Sequence, residues 1–242
     1  NRLYSFSIEF LMPGHFQILL YTGCLVLVLF RTIAHPAFPS RTDDRDGAPH
    51  DPFIDRVVSF EPGPGSGYGK DRLPAIVLGP PRGGGLRTGS RHVLSLGQRG
   101  RITLAFVDNQ VIDGPGGDLL IFENAFLDGD GTQPSRGFFE LAKVEVSVDG
   151  VSWKPFPYDT GTRKGCAGWH PVFANADTNQ LPATNPKRAG GDLFDLRDVG
   201  LRYARYVRIT DLDNALGGSG TVGFDLDAVA AVHSQPRPKS AP

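Results

Sequence analysis

Between residues 57 and 232 the sequence never places ten to fifteen residues of helical period between its strand-like runs, so the crossover helices that a parallel sheet needs have nowhere to form. What it has instead are short apolar runs cut by turn residues. Residues 56–60, 92–96, 101–107, 119–122, 138–148, 153–156, 206–210 and 223–232 read as strands. In residues 101–107, Ile102, Leu104 and Phe106 share one face while Arg101, Thr103 and Ala105 share the other, the period of a half-buried strand. Asp149 and Gly150 close a hairpin after the run that carries Ala142, Val144, Val146 and Val148 on one face. With 31 Gly and 20 Pro to supply turns, the expected fold is all-β, an antiparallel β-sandwich of jelly-roll type with long loops and little helix. Residues 192–200 alone read as a short helical or turn segment.

The chain of 242 residues is 40% hydrophobic, enough for one large core or two small ones. Its 25 Lys and Arg nearly cancel its 26 Asp and Glu, which excludes the basic field that nucleic acid or an anionic membrane would require. Residues 18–30 form a thirteen-residue run broken only by Thr22 and Gly23, too short to span a bilayer, which takes about 20 residues. Residues 1–37 therefore read as a signal peptide or an uncleaved N-terminal anchor, with 1–11 as upstream read-through or the start of a fragment. A secreted or cell-surface location follows, bacterial extracellular or periplasmic, with no strong membrane affinity beyond that segment. Residues 38–56 read as a linker, 57–233 as the sandwich domain and 234–242 as a Pro-rich tail. Once the leader is removed, Cys166 is the single cysteine, so no internal disulfide can form; a small buried apolar role suits it better than that of a nucleophile.

Residues 108–126, DNQVIDGPGGDLLIFENAF, crowd oxygen-bearing side chains around one turn and one strand. Hard cations such as calcium take six to eight oxygen ligands, and Asp113, Asp118, Glu123 and Asn124 supply that chemistry. Asp225 and Asp227, on one face of the last strand, need a cation or donors if both are buried. The competing reading is a set of ordinary turns, in which Asp and Asn accept from their own backbone. Asp128 opens like an EF-hand loop, but Gln133 and Phe139 stand where the obligatory Gly and Glu belong, so a plain acidic turn is expected. Residues 158–191 lose all periodicity and hold Tyr158, Trp169, His170, Asn175 and Asn185, an aromatic and amide set suited to holding a sugar or to forming a lid.

Catalytic signatures are sparse. The glycine-rich residues 61–70 lack the first Gly of a phosphate loop and place Asp71 after Lys70. Ser66 and Ser219 sit outside a G-x-S-x-G frame, and His92, His170 and His233 lack metal spacing. A hydrolase could still pair Glu123 with Glu140 or Asp118 as its two carboxylates.

The run VEVSVDGVSW at 144–153, with Phe156 after it, and ARYVRI at 204–209 resemble the signatures of discoidin-type (coagulation factor 5/8 type C) domains of the galactose-binding-like superfamily. The series VVSFEPGPGSGYG, VLSLG, DGPGGDLLIFENAF, GGDLFDLRDVGL and GFDLDAV is similar to bacterial secreted or cell-surface proteins of that group. The resemblance implies a jelly roll with a structural calcium, ligand-holding loops at one end, and terminal strands that bring Asp225 or Asp227 toward the acidic loop. The discoidin disulfide and membrane-seeking spikes have no counterpart, so lipid binding is not implied. The expected function is a non-catalytic binding module for carbohydrate or another cell-surface ligand. The metal ligands expected first are Asp118, Glu123 and Asp225, then Asp113, Asn124 and Asp227, with Trp169, His170, Tyr158 and Asn175 at the ligand. A hydrolase and a purely adhesive domain are the alternatives.

Overall fold

The structure, a computed structural model, describes residues 51–128, 137–213 and 223–237. Residues 1–50, 129–136, 214–222 and 238–242 lie outside them, and with them the expected leader, most of the expected linker, the expected acidic turn after Asp128, Ser219 and the end of the tail. No helix among the described residues is long and apolar enough to cross a membrane.

The strands in chain order are β1 (Arg56–Glu61), β2 (Leu94–Ser95), β3 (Arg101–Ala105), β4 (Asn109–Ile112) and β5 (Leu119–Phe122). They continue with β6 (Phe126–Leu127), β7 (Gly137–Phe138), β8 (Ala142–Ser147), β9 (Trp153–Pro155) and β10 (Asp192–Phe194). The last are β11 (Tyr203–Ala204), β12 (Tyr206–Asp211), β13 (Asp225–Leu226), β14 (Ala228–Ala231) and β15 (Ser234–Pro236). All pair antiparallel, and one short helix, α1 (Pro186–Ala189), interrupts the loops. The fold is an all-β sandwich.

One layer is the five-stranded sheet β1-β3-β12-β8-β9, and the facing layer contains β10-β5-β14. Ile102 and Leu104 of β3, Val144 and Val146 of β8, and Val207 and Ile209 of β12 meet Leu119 and Ile121 of β5 and Val229 of β14 in one fully buried cluster. The alternating face of residues 101–107 is thus the core face. On the opposite face of β5, Leu120 and Phe122 pack with Ala228, Ala230, Val172, Ala174 and Ala189. The 158–191 excursion therefore roofs the second sheet, which explains why β5 reads LLIF without alternation: both its faces are covered.

Three expectations are revised. Residues 138–148 do not form one strand, because Phe138 stacks on Phe126 at 4.5 Å in a separate ribbon, while Phe139 and Leu141 turn to the interior before β8 begins. The run 223–232 breaks at Asp227: β13 pairs with β2, and β14 pairs with β5. Residues 192–200 start as a strand and only then turn, with Asp195 accepting from the Arg197 N–H at 2.9 Å to start a 3-10 turn and left-handed Gly200 ending it. The folded body also takes in more chain than 57–233. Phe53 bridges Ala230, Ile54 is buried, and β15 pairs with β4.

Candidate functional site

β5 ends in the core, and the next residue, Glu123, stays buried with it at 3% exposure. β13 carries Asp225 alongside; its backbone N–H lies 3.4 Å from Glu123 Oε1. Glu140, in the break between β7 and β8, accepts from the Gly223 N–H at 3.1 Å. Asn124 caps the group by accepting from the Ser90 amide. The loop reaches it closely enough that a Cβ on Gly89 would stand 2.7 Å from Asn124 Oδ1. Asp211, at the end of β12, accepts from the Phe224 N–H at 2.9 Å and fixes the chain just before Asp225.

This crowding has an electrostatic signature. Burial first, then the charges of Asp225 and Glu140, push the Glu123 carboxyl well above the usual carboxylate range. Burial and Asp225 push Glu140 up to about 8. Burial pushes Asp225 up to about 6, although the Ser95 hydroxyl and the Asn124 amide favour its charged form. Yet Glu123 Oε2 and Asp225 Oδ1 are buried and complete no hydrogen bond. Buried polar atoms are almost always partnered, so two such carboxylate oxygens side by side leave room for a positive partner. Carboxylate oxygens are the donors that a hard cation takes. Glu123 and Asp225 would be the charged pair for such an ion; Glu140 does not converge with both of them to within 4.8 Å.

At the other end of β5 lies a tighter acidic group, Asp113, Asp118 and Asp195, whose oxygens lie within 4.8 Å of one another. Those oxygens are already engaged. Asp118 is fully buried and accepts from the Gly114 N–H at 2.8 Å, the Leu196 N–H at 2.8 Å and, at 2.8 Å, lies against His233 Nδ1. Asp195 starts its turn, and Asp113 lies 3.8 Å from the Arg197 guanidinium. This is a clasp joining β5, the 3-10 turn and the segment after β14.

The six residues expected at one metal are thus divided among three places. Glu123, Asn124 and Asp225 come together; Asp113 and Asp118 sit at the opposite end of β5; and Asp227 accepts from the Arg82 N–H at 2.7 Å, with His92 at 3.5 Å. Asp225 and Asp227 separate because the strand breaks between them. Of the ligand residues expected, Trp169 and His170 are adjacent, with ring centroids 3.6 Å apart, and Trp169 packs on Ala125, Leu127 and Phe139. His170 is held by buried Asp192 at 2.7 Å, which also accepts from the Gly168 N–H. Tyr158 is exposed. Asn175 uses its side chain on the Gly83 carbonyl and on the Asp177 and Thr178 amides, and Asn185 caps α1. Ser95 belongs to the acidic group but gave no local sign of it, since it reads as an ordinary strand residue, whereas Glu140 was expected beside Glu123 only as the second carboxylate of a hydrolase.

No family model matches the chain, and no curated protein matches it. Among solved structures it is similar to the C-terminal domain of a chitobiase from Bacteroides fragilis, at 16% identity and a TM-score of 0.26, over 57% of this chain and 65% of that one. The chain thus spans just under two thirds of that domain.

Proposed function

We propose that this chain is a non-catalytic binding module, secreted or displayed at the cell surface, in which a structural calcium ion held by Glu123 and Asp225 sets the loops at one end of the sandwich. The observation that carries the reading is the pair of unpartnered buried carboxylate oxygens on Glu123 and Asp225. A cation would neutralise the repulsion among Glu123, Asp225 and Glu140 and supply the missing partner. Burial argues against the hydrolase alternative. Glycosidases work with two carboxylates that both reach the substrate and water, and Glu123 is sealed. The ligand proposed is carbohydrate, in keeping with the discoidin-like motifs and with an apolar leader that suits export.

Metal content by mass spectrometry on protein purified without chelator, together with melting in calcium or in EDTA, tests the cation. Bound calcium and a higher melting temperature support it; no metal and no shift remove it. A glycan array in calcium tests the ligand class, and calcium-dependent melting without any saccharide binding would favour a scaffold instead.

A further inference from the structure

The small sheet β11-β4-β15 carries on its outer side a cleft of about 690 Å³. Its register explains what lines it. Tyr203 opposes Ile112, Ala204 opposes Val111, and Gln235 opposes Gln110. Val111 and Ala204 are fully buried on the core side, and side chains alternate along a strand, so Gln110, Ile112, Tyr203, Arg205 and Gln235 share the other side. They line the cleft, joined at its margin by Arg202 and Asp113.

The polar groups in it are planar and held in place. Arg205 Nε donates to Gln110 Oε1 at 3.0 Å, and the guanidinium lies 5.3 Å from the Tyr203 ring centroid. Gln110 is itself 3% exposed, so its amide is anchored in the sheet. Because Gln110 takes Nε, the two terminal nitrogens of Arg205 remain for a ligand. Asp113 is offset from outside by Arg197, which leaves Arg202 and Arg205 to give the cleft a positive balance.

We infer that this cleft binds an acidic saccharide, a sugar chain whose units bear carboxylates. The ring's C–H face would lie on the wall formed by Tyr203 and the Arg205 guanidinium. The exposed Gln235 amide would meet hydroxyls, and the fork of Arg205, oriented by Gln110, would with Arg202 hold the carboxylate in two parallel hydrogen bonds. A cleft of this size suits a ligand of two or three sugar units. The inference rests on the binding-module reading and gives it a site distinct from the Trp169 region and from Glu123.

The test is calorimetric titration of the full chain, at fixed calcium, with an oligogalacturonate and with its methyl ester, which keeps the rings and removes the charge. The acid is expected to bind, and the ester to bind about tenfold or more weakly. Arg205→Gln and Tyr203→Leu are each expected to weaken the acid by a similar factor in protein that still unfolds cooperatively at a somewhat lower melting temperature, and Arg205→Lys to restore only part. Equal affinity for acid and ester would overturn the inference. So would binding lost in Trp169→Ala but kept in Arg205→Gln, while leaving the module reading intact. Absence of binding to any saccharide would remove both this site and the carbohydrate ligand, and the calcium reading would still stand or fall on the metal analysis.

Discussion

The backbone N–H of Asp225 lies 3.4 Å from Glu123 Oε1, so the strand that brings in one buried carboxylate also serves the other. That contact satisfies half of Glu123. Its Oε2 and the Asp225 Oδ1 stay without partners, and the two carboxylates can be carried near neutral pH only with retained protons or with a cation between them.

Glu123→Gln removes one buried charge at constant shape. In EDTA the variant is expected to melt above the parent by several degrees, since each 1 kcal/mol is worth about 2–4 °C in a domain of this size. Its response to added calcium should vanish. Differential scanning fluorimetry with and without calcium reads both effects, and a variant that melts lower in EDTA would show that the carboxylate stabilises the metal-free fold.

The same groups set a pH dependence. Glu140 rises from 4.5 to about 8 and Asp225 from 3.8 to about 6 on folding. The folded state therefore binds more protons than the unfolded state between those values, and stability falls as pH climbs through the window. Asp225 alone accounts for roughly 3 kcal/mol of that loss, at 1.36 kcal/mol for each tenfold change in its proton affinity. Metal-free protein is expected to melt progressively lower from about pH 5 to pH 8. Calcium should flatten the decline, because ligation favours the ionised carboxylates. A metal-free melting temperature that rises over this range would contradict the assignment.

Asp118 and Asp113 separate a clasp from a metal site. Asp118→Ala strands the Gly114 and Leu196 amides and the His233 ring, and is expected to cost about 3–5 kcal/mol by urea denaturation. Asp113→Ala, with its long contact to Arg197, should change stability by about 0.5 kcal/mol or less and leave the calcium response untouched. A calcium response lost in Asp113→Ala would move the ion to the opposite end of β5.

Gly168 is the point where the roof meets the acidic group. Its φ is +94°, and a Cβ there would stand 2.0 Å from the Glu140 carbonyl oxygen. Gly168→Ala is expected to cost well over about 2 kcal/mol, whereas Gly150→Ala, also left-handed at +77° but facing only the Tyr206 side chain at 3.3 Å, should cost about 1 kcal/mol. Thermal melts of the two variants make the comparison.

Much of this architecture was legible in the residues. The alternation of Ile102, Leu104 and Phe106 marks the core face, and LLIF marks an apolar strand at β5. The meeting of Glu123 with Asp225 was expected from the resemblance, which brings the last strand toward the acidic loop. What stayed hidden depends on distant chain. Glu140 lies in a run that alternates like one strand, and only the stacking of Phe138 on Phe126 breaks that run and frees Glu140 for the acidic group. Residues 109–112 carry no strand pattern of their own; partners at 203–204 and 234–236 make them one, and with them the cleft. Asp113 and Asp118 share a turn with Glu123 in sequence, but β5 carries them to its opposite end.

β5 is paired along both edges and packed on both faces. It therefore has no direction in which to slip. Four residues at about 3.3 Å each separate the hydrogen-bonded clasp at Asp118 from the charged pocket at Glu123. Lengthening the strand by one residue would turn Glu123 to the opposite face, and shortening it would do the same to Asp118. The strand thus acts as a ruler of fixed length, and the loops at either end can change in size and sequence while the two polar ends keep their distance and their facing.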